Sequence, residues 1–226
     1  MKLTYYGHSC FSVHAGGSTL LFDPFITPNE LAKSIDVQKV AADFIFITHA
    51  HADHMADAVD IAKRTGAPVI TNFEIAQWLE REGVADARGM NHGGSAEFGF
   101  GRVKFTTAIH SSSFPDGRYA GNPGGFVVST NDGTFYYSGD TALTMDMKLI
   151  GDEFELDFAV LPIGDRFTMG AKDAARAAEF VGCNRVVGVH YDTFPPIEID
   201  PGKAVGTFEE AGRTLLLPKI GETIDL

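Results

Sequence analysis

Thr48-His49-Ala50-His51-Ala52-Asp53-His54 is the stretch from which the rest of the chain can be read. Three histidines and an aspartate fall within six residues, after an apolar run and before a helical one. The preceding run, Phe44–Thr48, has the pattern of a strand buried on both faces. The following run, His54–Arg64, repeats its apolar residues at helical spacing and stops at Gly66. In an extended strand-to-helix connection, residues two apart point to the same side, so His49 and His51 converge. Asp53 and His54 open the next element and can turn toward a second point. Imidazole nitrogens with a carboxylate suit Zn²⁺, with Mn, Fe or Ni as alternatives. A lone histidine would read as a locally hydrogen-bonded loop residue, but four ligand-type side chains at one strand end do not.

Outward from this stretch, the order of elements repeats. Lys2–Tyr6, Cys10–His14 and Thr19–Phe22 are β-branched or aromatic runs separated by Gly7 and Gly16-Gly17, the pattern of an antiparallel meander. Pro68–Thr71 reads as a strand and Asn72–Glu82 as a helix with an Asn cap. Strands return at Val103–Ile109, Gly125–Thr130 and Thr134–Tyr137. A helix at Leu143–Leu149, a strand at Phe158–Leu161, a helix at Ala171–Val181 and a strand at Arg185–Val189 follow. A helix near Ala204–Ala211 and short strands at Leu215 and Thr223–Ile224 complete the chain. The expected class is α/β (α+β): two mixed sheets packed face to face with helices outside, in one domain spanning residues 1–226.

Three more ligand-type residues stand at or just past the C-terminal ends of expected strands: His110, Asp140 and His190. Taken singly, each reads equally well as a satisfied polar residue. Together with the cluster they make seven ligands, enough for two ions, and a catalytic site needs a position left open by the protein. Around them, Asp23 is the candidate to hold a ligating imidazole by its other nitrogen, with a turn-forming Asp-Pro as the alternative. His8, after Gly7, reads as a proton donor to a leaving group or as a backbone-bonded hairpin residue. Arg166 is a candidate clamp for an anionic group, or the partner of a neighbouring acid; Arg118 is a weaker one. Phe114, Tyr119, Phe167, Tyr191 and Phe194 are candidate pocket walls or packing residues. His14 and His92 read as surface residues.

Composition bounds the task. The 226 residues carry 30 acidic and 18 basic side chains, a formal charge of −12, which argues against nucleic acid and anionic membrane surfaces as partners. Two cysteines, Cys10 and Cys183, make no disulfide framework. With no membrane-length apolar run and no signal-peptide block at the start, the expected location is cytoplasmic. The expected partner is a small-molecule substrate, which the local positive charge of bound ions allows to be anionic. Nothing in the pattern demands or forbids a homo-oligomer.

The ligand series His49-x-His51-x-Asp53-His54, then His110, Asp140 and His190, resembles the metallo-β-lactamase superfamily. Gly7-His8-Ser9-Cys10, Leu21–Phe25, Ser138–Leu143 and Leu161–Asp165 are similar to the small cytoplasmic metal-dependent hydrolases related to ascorbate-6-phosphate lactonase. The resemblance implies a four-layer αββα sandwich with the site at one edge of the sheets. It also implies that His49, His51 and His110 hold one ion and that Asp53, His54 and His190 hold the other, with Asp140 bridging. The expected activity is hydrolysis of a small ester, lactone or phosphoester by a hydroxide shared between two ions, with Asp53 orienting it and taking its proton. A non-catalytic metal-binding role and a redox di-iron role are the alternatives. His51 stands where the flavin-linked di-iron relatives have Glu, which disfavours electron transfer. A nuclease lacks its basic exosite here, and a β-lactamase its export signal.

Overall fold

The computed structural model describes residues 1–226. The first half contributes β1 (Lys2–Gly7), β2 (Cys10–Ala15), β3 (Ser18–Phe22), β4 (Phe44–Phe46), α1 (Ala52–Met55), α2 (Ala58–Thr65), β5 (Val69–Asn72), α3 (Phe73–Arg81) and β6 (Ala87–Met90). The second half contributes β7 (Ser95–Phe98), β8 (Gly101–Thr107), β9 (Gly124–Thr130), β10 (Gly133–Tyr137), α4 (Met147–Glu153), β11 (Phe158–Pro162), α5 (Ala171–Phe180), β12 (Arg185–Val189), α6 (Pro201–Glu210), β13 (Thr214–Leu216) and β14 (Thr223–Asp225). Two seven-stranded sheets result, ordered β14-β1-β2-β3-β4-β5-β6 and β13-β12-β11-β10-β9-β8-β7. In each, three antiparallel pairings give way to three parallel ones. Parallel neighbours need crossover connections, which is where the helices sit.

The period-two alternation of side chains separates three apolar layers. Phe22, Phe46, Phe135, Tyr137, Val160 and Val187 face inward, between the sheets. Their sequence neighbours Leu21, Ile45, Tyr136, Leu161 and Val186 face outward onto the helices. Register then builds ring stacks. Phe11 pairs with Phe22, Phe22 with Phe46, and Phe135 with Phe158. Their ring centroids lie 4.7, 4.6 and 4.9 Å apart. Each such pair contributes about 0.5–1.5 kcal/mol beyond the burial of its area. On the outer face, α5 buries Ala174, Ala175, Ala177 and Ala178, short side chains that let it lie close on its sheet. Asn72 caps α3 as expected: its Oδ1 accepts the Ile75 N–H, and its Nδ2 donates to the Ala120 and Asn122 carbonyls. No helix is long and apolar enough to cross a membrane.

Three expectations about elements are corrected. The helix expected over His54–Arg64 is two helices, because Asp57 leaves helical geometry (φ −101°, ψ 1°) and accepts the Ile26 and Thr27 N–H groups. The helix expected at Leu143–Leu149 begins only at Met147, because the segment before it is tied to the end of β8. There the Ala142 N–H donates to the Ile109 carbonyl, and the Ile109 N–H to Thr141 Oγ1. Strands β6 and β7 were not expected, as they are short edge strands with no fully buried residue to mark them.

Candidate metal centre

All seven ligand-type residues gather at one end of the two sheets, near or just past the C-terminal ends of β4, β8, β10 and β12. Several residues there take left-handed backbone angles that L side chains rarely adopt: His8 (φ 55°) after β1, Asp23 (φ 40°) after β3 and His190 (φ 58°) after β12. Each such conformation costs roughly 1–3 kcal/mol and persists only when the surroundings impose it. The surroundings here are hydrogen bonds: the His190 N–H donates to the His8 carbonyl, which also accepts from Tyr5 Oη, and the Asp23 N–H donates to the Phe46 carbonyl. Gly139 (φ +60°) precedes Asp140 for a related reason. A Cβ there would stand 2.6 Å from the Gly124 carbonyl oxygen and 2.9 Å from Thr48 Cβ.

Asp23 is fully buried and organises the histidine cluster from behind. Its carboxylate accepts the Thr48 N–H (2.8 Å), Thr48 Oγ1–H (2.7 Å) and Tyr137 Oη–H (2.7 Å), and lies 2.8 Å from His54 Nδ1. With His54 Nδ1–H donating to it, Nε2 is left for the site. Thr48 Oγ1, already donating to Asp23, is the acceptor for His49 Nδ1–H at 3.0 Å, so His49 Nε2 is freed in the same way. One carboxylate thus sets the tautomer of two histidines. Asp23 thus lies where a residue holding an imidazole by its other nitrogen would stand, and it does so at a bend of positive φ directly before Pro24.

The ligand atoms form overlapping groups. His49, His51 and His110 make one, Asp53, His54 and His190 with His8 make another, and His49, His54 and Asp140 join them. Asp140 Oδ2 stands between the two histidine groups, 2.9 Å from His190 Nε2, 3.3 Å from His54 Nε2 and 3.6 Å from His110 Nε2. Burial, with the His54 charge second, holds His49 and His51 below the usual imidazole value, and burial does the same to His110. These are neutral imidazoles, the form that ligates. His54 goes the other way: burial opposes its charge, but Asp140, Asp23 and Asp53 raise it well above the usual value. Burial likewise works against the Asp140 charge, yet His54 and His190 hold its carboxyl well below the carboxylate range. The field at the centre therefore favours a positive charge. His54 Nε2, Asp140 Oδ1 and His190 Nδ1 are buried without a hydrogen-bond partner, and His49 Nε2 faces His51 Nδ1 at 2.9 Å. Imidazole nitrogens and carboxylate oxygens gathered within 4.8 Å of one another in each group, His54 Nε2 among them without a protein partner, fit divalent ions.

The site opens into a cavity of about 220 Å³ walled by His51, Asp53, His110, Asp140 and His190, and on its other sides by Ser111, Phe167 and Phe194. Larger hollows elsewhere, one of about 490 Å³ between α5 and α6, carry no converging ligand set. Asp53 keeps 27 % of its side chain exposed toward the cavity. Burial alone would raise its pKa, but the His54 charge and the His8 hydrogen bond hold it well below the carboxylate range.

His8 is not where a proton donor to a leaving group would stand. Its ring is buried outside the cavity wall, with both nitrogens on protein partners: Nε2 lies 3.0 Å from Asp53 Oδ2 and Nδ1 2.9 Å from Thr193 Oγ1. Burial pushes its pKa down to about 4, so the ring is neutral, with Nε2–H donating to Asp53 and Nδ1 accepting from Thr193. Arg166 also lies outside the cavity wall, its guanidinium 5.7 Å from the Phe167 ring centre. It forms no ion pair with Asp165; its backbone N–H alone donates there. Of the five candidate wall aromatics, Phe114 is buried against Trp78, Tyr119 points to solvent, and Tyr191 stacks on Tyr5 beside a neighbouring hollow. His14 is exposed, while His92 stacks on Phe105 and bonds the Pro123 carbonyl. Thr48, Tyr137, Thr193 and Asp57 were missed as supporting residues. Only Thr48, inside the quoted stretch, carried a signal in the sequence.

Comparison with known proteins shows the family and the fold. Residues 18–191 match the family model described as a beta-lactamase superfamily domain. The chain is 52 % identical over 227 residues to a UPF0173 metal-dependent hydrolase of Christiangramia forsetii, and 49 % identical over 226 residues to one of Methylacidiphilum infernorum, with all of both chains covered in each case. Among solved structures, a metallo hydrolase from the hyperthermophilic archaeon Ignicoccus hospitalis superposes with TM-score 0.89 at 37 % identity, covering 99 % of this chain and 97 % of its own. An isothiocyanate hydrolase from Delia radicum gut bacteria shares the fold, with TM-score 0.78 at 20 % identity, covering 100 % and 99 %.

Proposed function

The chain belongs to the beta-lactamase superfamily as a metal-dependent hydrolase, and from that premise we propose that it hydrolyses a small ester, lactone or phosphoester at a two-ion centre. In this reading His49, His51 and His110 hold one ion and Asp53, His54 and His190 the other, with Asp140 between them. Zn²⁺ is the first candidate, given a donor set dominated by imidazole. The observation that carries the reading is the position of Asp140 Oδ2, within 3.6 Å of a histidine nitrogen from each group.

Bound there, divalent ions supply a water of lowered pKa and polarise the oxygen of the bond to be broken. The chain's own residues do the rest. Asp53, ionised and partly open to the cavity, is the carboxylate that accepts a proton. Neutral His8 holds that carboxylate in place through Nε2–H and is itself held by Thr193. Asp23 fixes His54 directly and His49 through Thr48, which keeps both rings turned with Nε2 toward the site. No serine or cysteine nucleophile is needed: Cys10 is fully buried, and burial pushes its thiol pKa up.

The test combines metal analysis with a panel of lactones, phosphodiesters and thioesters. The expected result is two ions per chain at saturation and turnover that is lost on chelation and restored by Zn²⁺. One ion per chain at saturation removes Asp140 as a bridge, and full turnover by metal-stripped protein removes the mechanism.

A further inference from the structure

The metal cavity has three walls that are not ligands, and their chemistry is selective. Ser111 is the one polar group among them; the other two are Phe167 and Phe194, both aromatic. No lysine or arginine lines the cavity. The guanidinium of Arg166 lies 5.7 Å from the Phe167 ring centre and is not part of the cavity wall. Both phenylalanine rings stay open to solvent, 54 % and 38 % exposed, so they have free surface to stack on a bound group.

Both rings are also held in place. Phe194 packs edge-on against His8, with ring centres 5.5 Å apart, and Pro195-Pro196 stiffens the turn that follows. Phe167 follows two consecutive non-glycine residues in the left-handed region, Asp165 (φ 62°) and Arg166 (φ 57°). The turn is closed by the Asp165 N–H donating to the Met169 carbonyl, and tied to the Asp140 loop by the Met169 N–H donating to the Thr141 carbonyl. A chain adopts two such angles in succession only where its surroundings impose them, and here the outcome is a ring at the cavity mouth.

We infer that the substrate is neutral beside its hydrolysable bond and carries there an aryl or short alkyl group that seats between Phe167 and Phe194. This rests on the metal-centre reading above and names the substrate class for it. A carboxylate or phosphate in the same position would meet two aromatic faces and no cation of the protein.

Hydroxamates, which grip divalent ions through two oxygens, test this by binding rather than turnover. Calorimetry on the zinc-loaded protein would compare acetohydroxamate, benzohydroxamate and the monohydroxamate of succinic acid. The expected order places benzohydroxamate about tenfold tighter than acetohydroxamate, with the succinic compound weakest. That tenfold ratio shrinks to near unity in the Phe167→Ala/Phe194→Ala double variant, and partly recovers in Phe167→Leu/Phe194→Leu. Equal binding of the first two compounds by the unaltered protein, or tightest binding of the succinic one, overturns the aryl-group inference alone. Failure of all three to bind the unaltered protein removes the metal-centre reading, and this inference with it.

Discussion

The two halves of the chain lay down their sheets in the same sequence, antiparallel strands first and parallel strands after, but they supply the site in opposite ways. The first half delivers His49, His51, Asp53 and His54 from one connection, locked from behind by the single carboxylate of Asp23. The second half delivers His110, Asp140 and His190 from three separate strand ends, each with its own ties: Thr141 to Ile109, Gly139 under Gly124, and the His190 N–H to His8. One half concentrates its support in one residue, while the other distributes it. A concentrated lock should therefore fail abruptly and a distributed one by increments.

The largest effect belongs to the first half's reactive group. Asp53→Ala should lower turnover of any substrate found by about 10²–10⁴-fold, while the thermal midpoint stays close to that of the parent. Unchanged turnover in that variant would end its role as base. Next comes the lock itself. Asp23→Ala strands the Thr48 N–H, the Thr48 and Tyr137 hydroxyls and His54 Nδ1 together, and should cost roughly 3–5 kcal/mol in urea unfolding. In the second half, Gly139→Ala should cost about 2 kcal/mol, since it adds a crowded Cβ at positive φ. Thr141→Val removes one partner from the Ile109 N–H and should cost about 1 kcal/mol. If Thr141→Val destabilised as much as Asp23→Ala, the contrast between concentrated and distributed support would be gone. The smallest effect is expected at Thr193→Val, which leaves His8 Nδ1 without its donor. kcat should fall less than about tenfold, with KM and metal content unchanged, which separates a positioning role from a ligand role.

The same contrast explains what could be read before the fold was known. The first half's ligands sit at fixed spacing across a strand-to-helix turn, so the convergence of His49 and His51 follows from extended-chain geometry, while Asp53 and His54 open the helix that comes next. His110 and Asp140 lie three residues beyond β8 and β10, and their directions depend on loop ties that no spacing expresses. Tyr137 was read as a strand residue, and nothing local says that its hydroxyl crosses to Asp23 on the other sheet. The split between α1 and α2 has no local signature because Asp57 bonds to Ile26 and Thr27, a contact with a segment far away in sequence. The strand end of His8 places it near the site, but its hold on Asp53 depends on Thr193, 185 residues further along the chain.

By itself, then, the sequence determined the alternating buried runs, the order of strands and helices, and the clustering of ligand-type residues at strand ends. These are properties of periodicity and spacing, which the geometry of an L-polypeptide imposes locally. Only the tertiary structure decided that Asp140 stands between two histidine groups, that one carboxylate orients His49 and His54, and that two phenylalanines rather than a cation line the mouth. Those relations arise where two sheets meet face to face and where the backbone is held at angles it would not adopt alone.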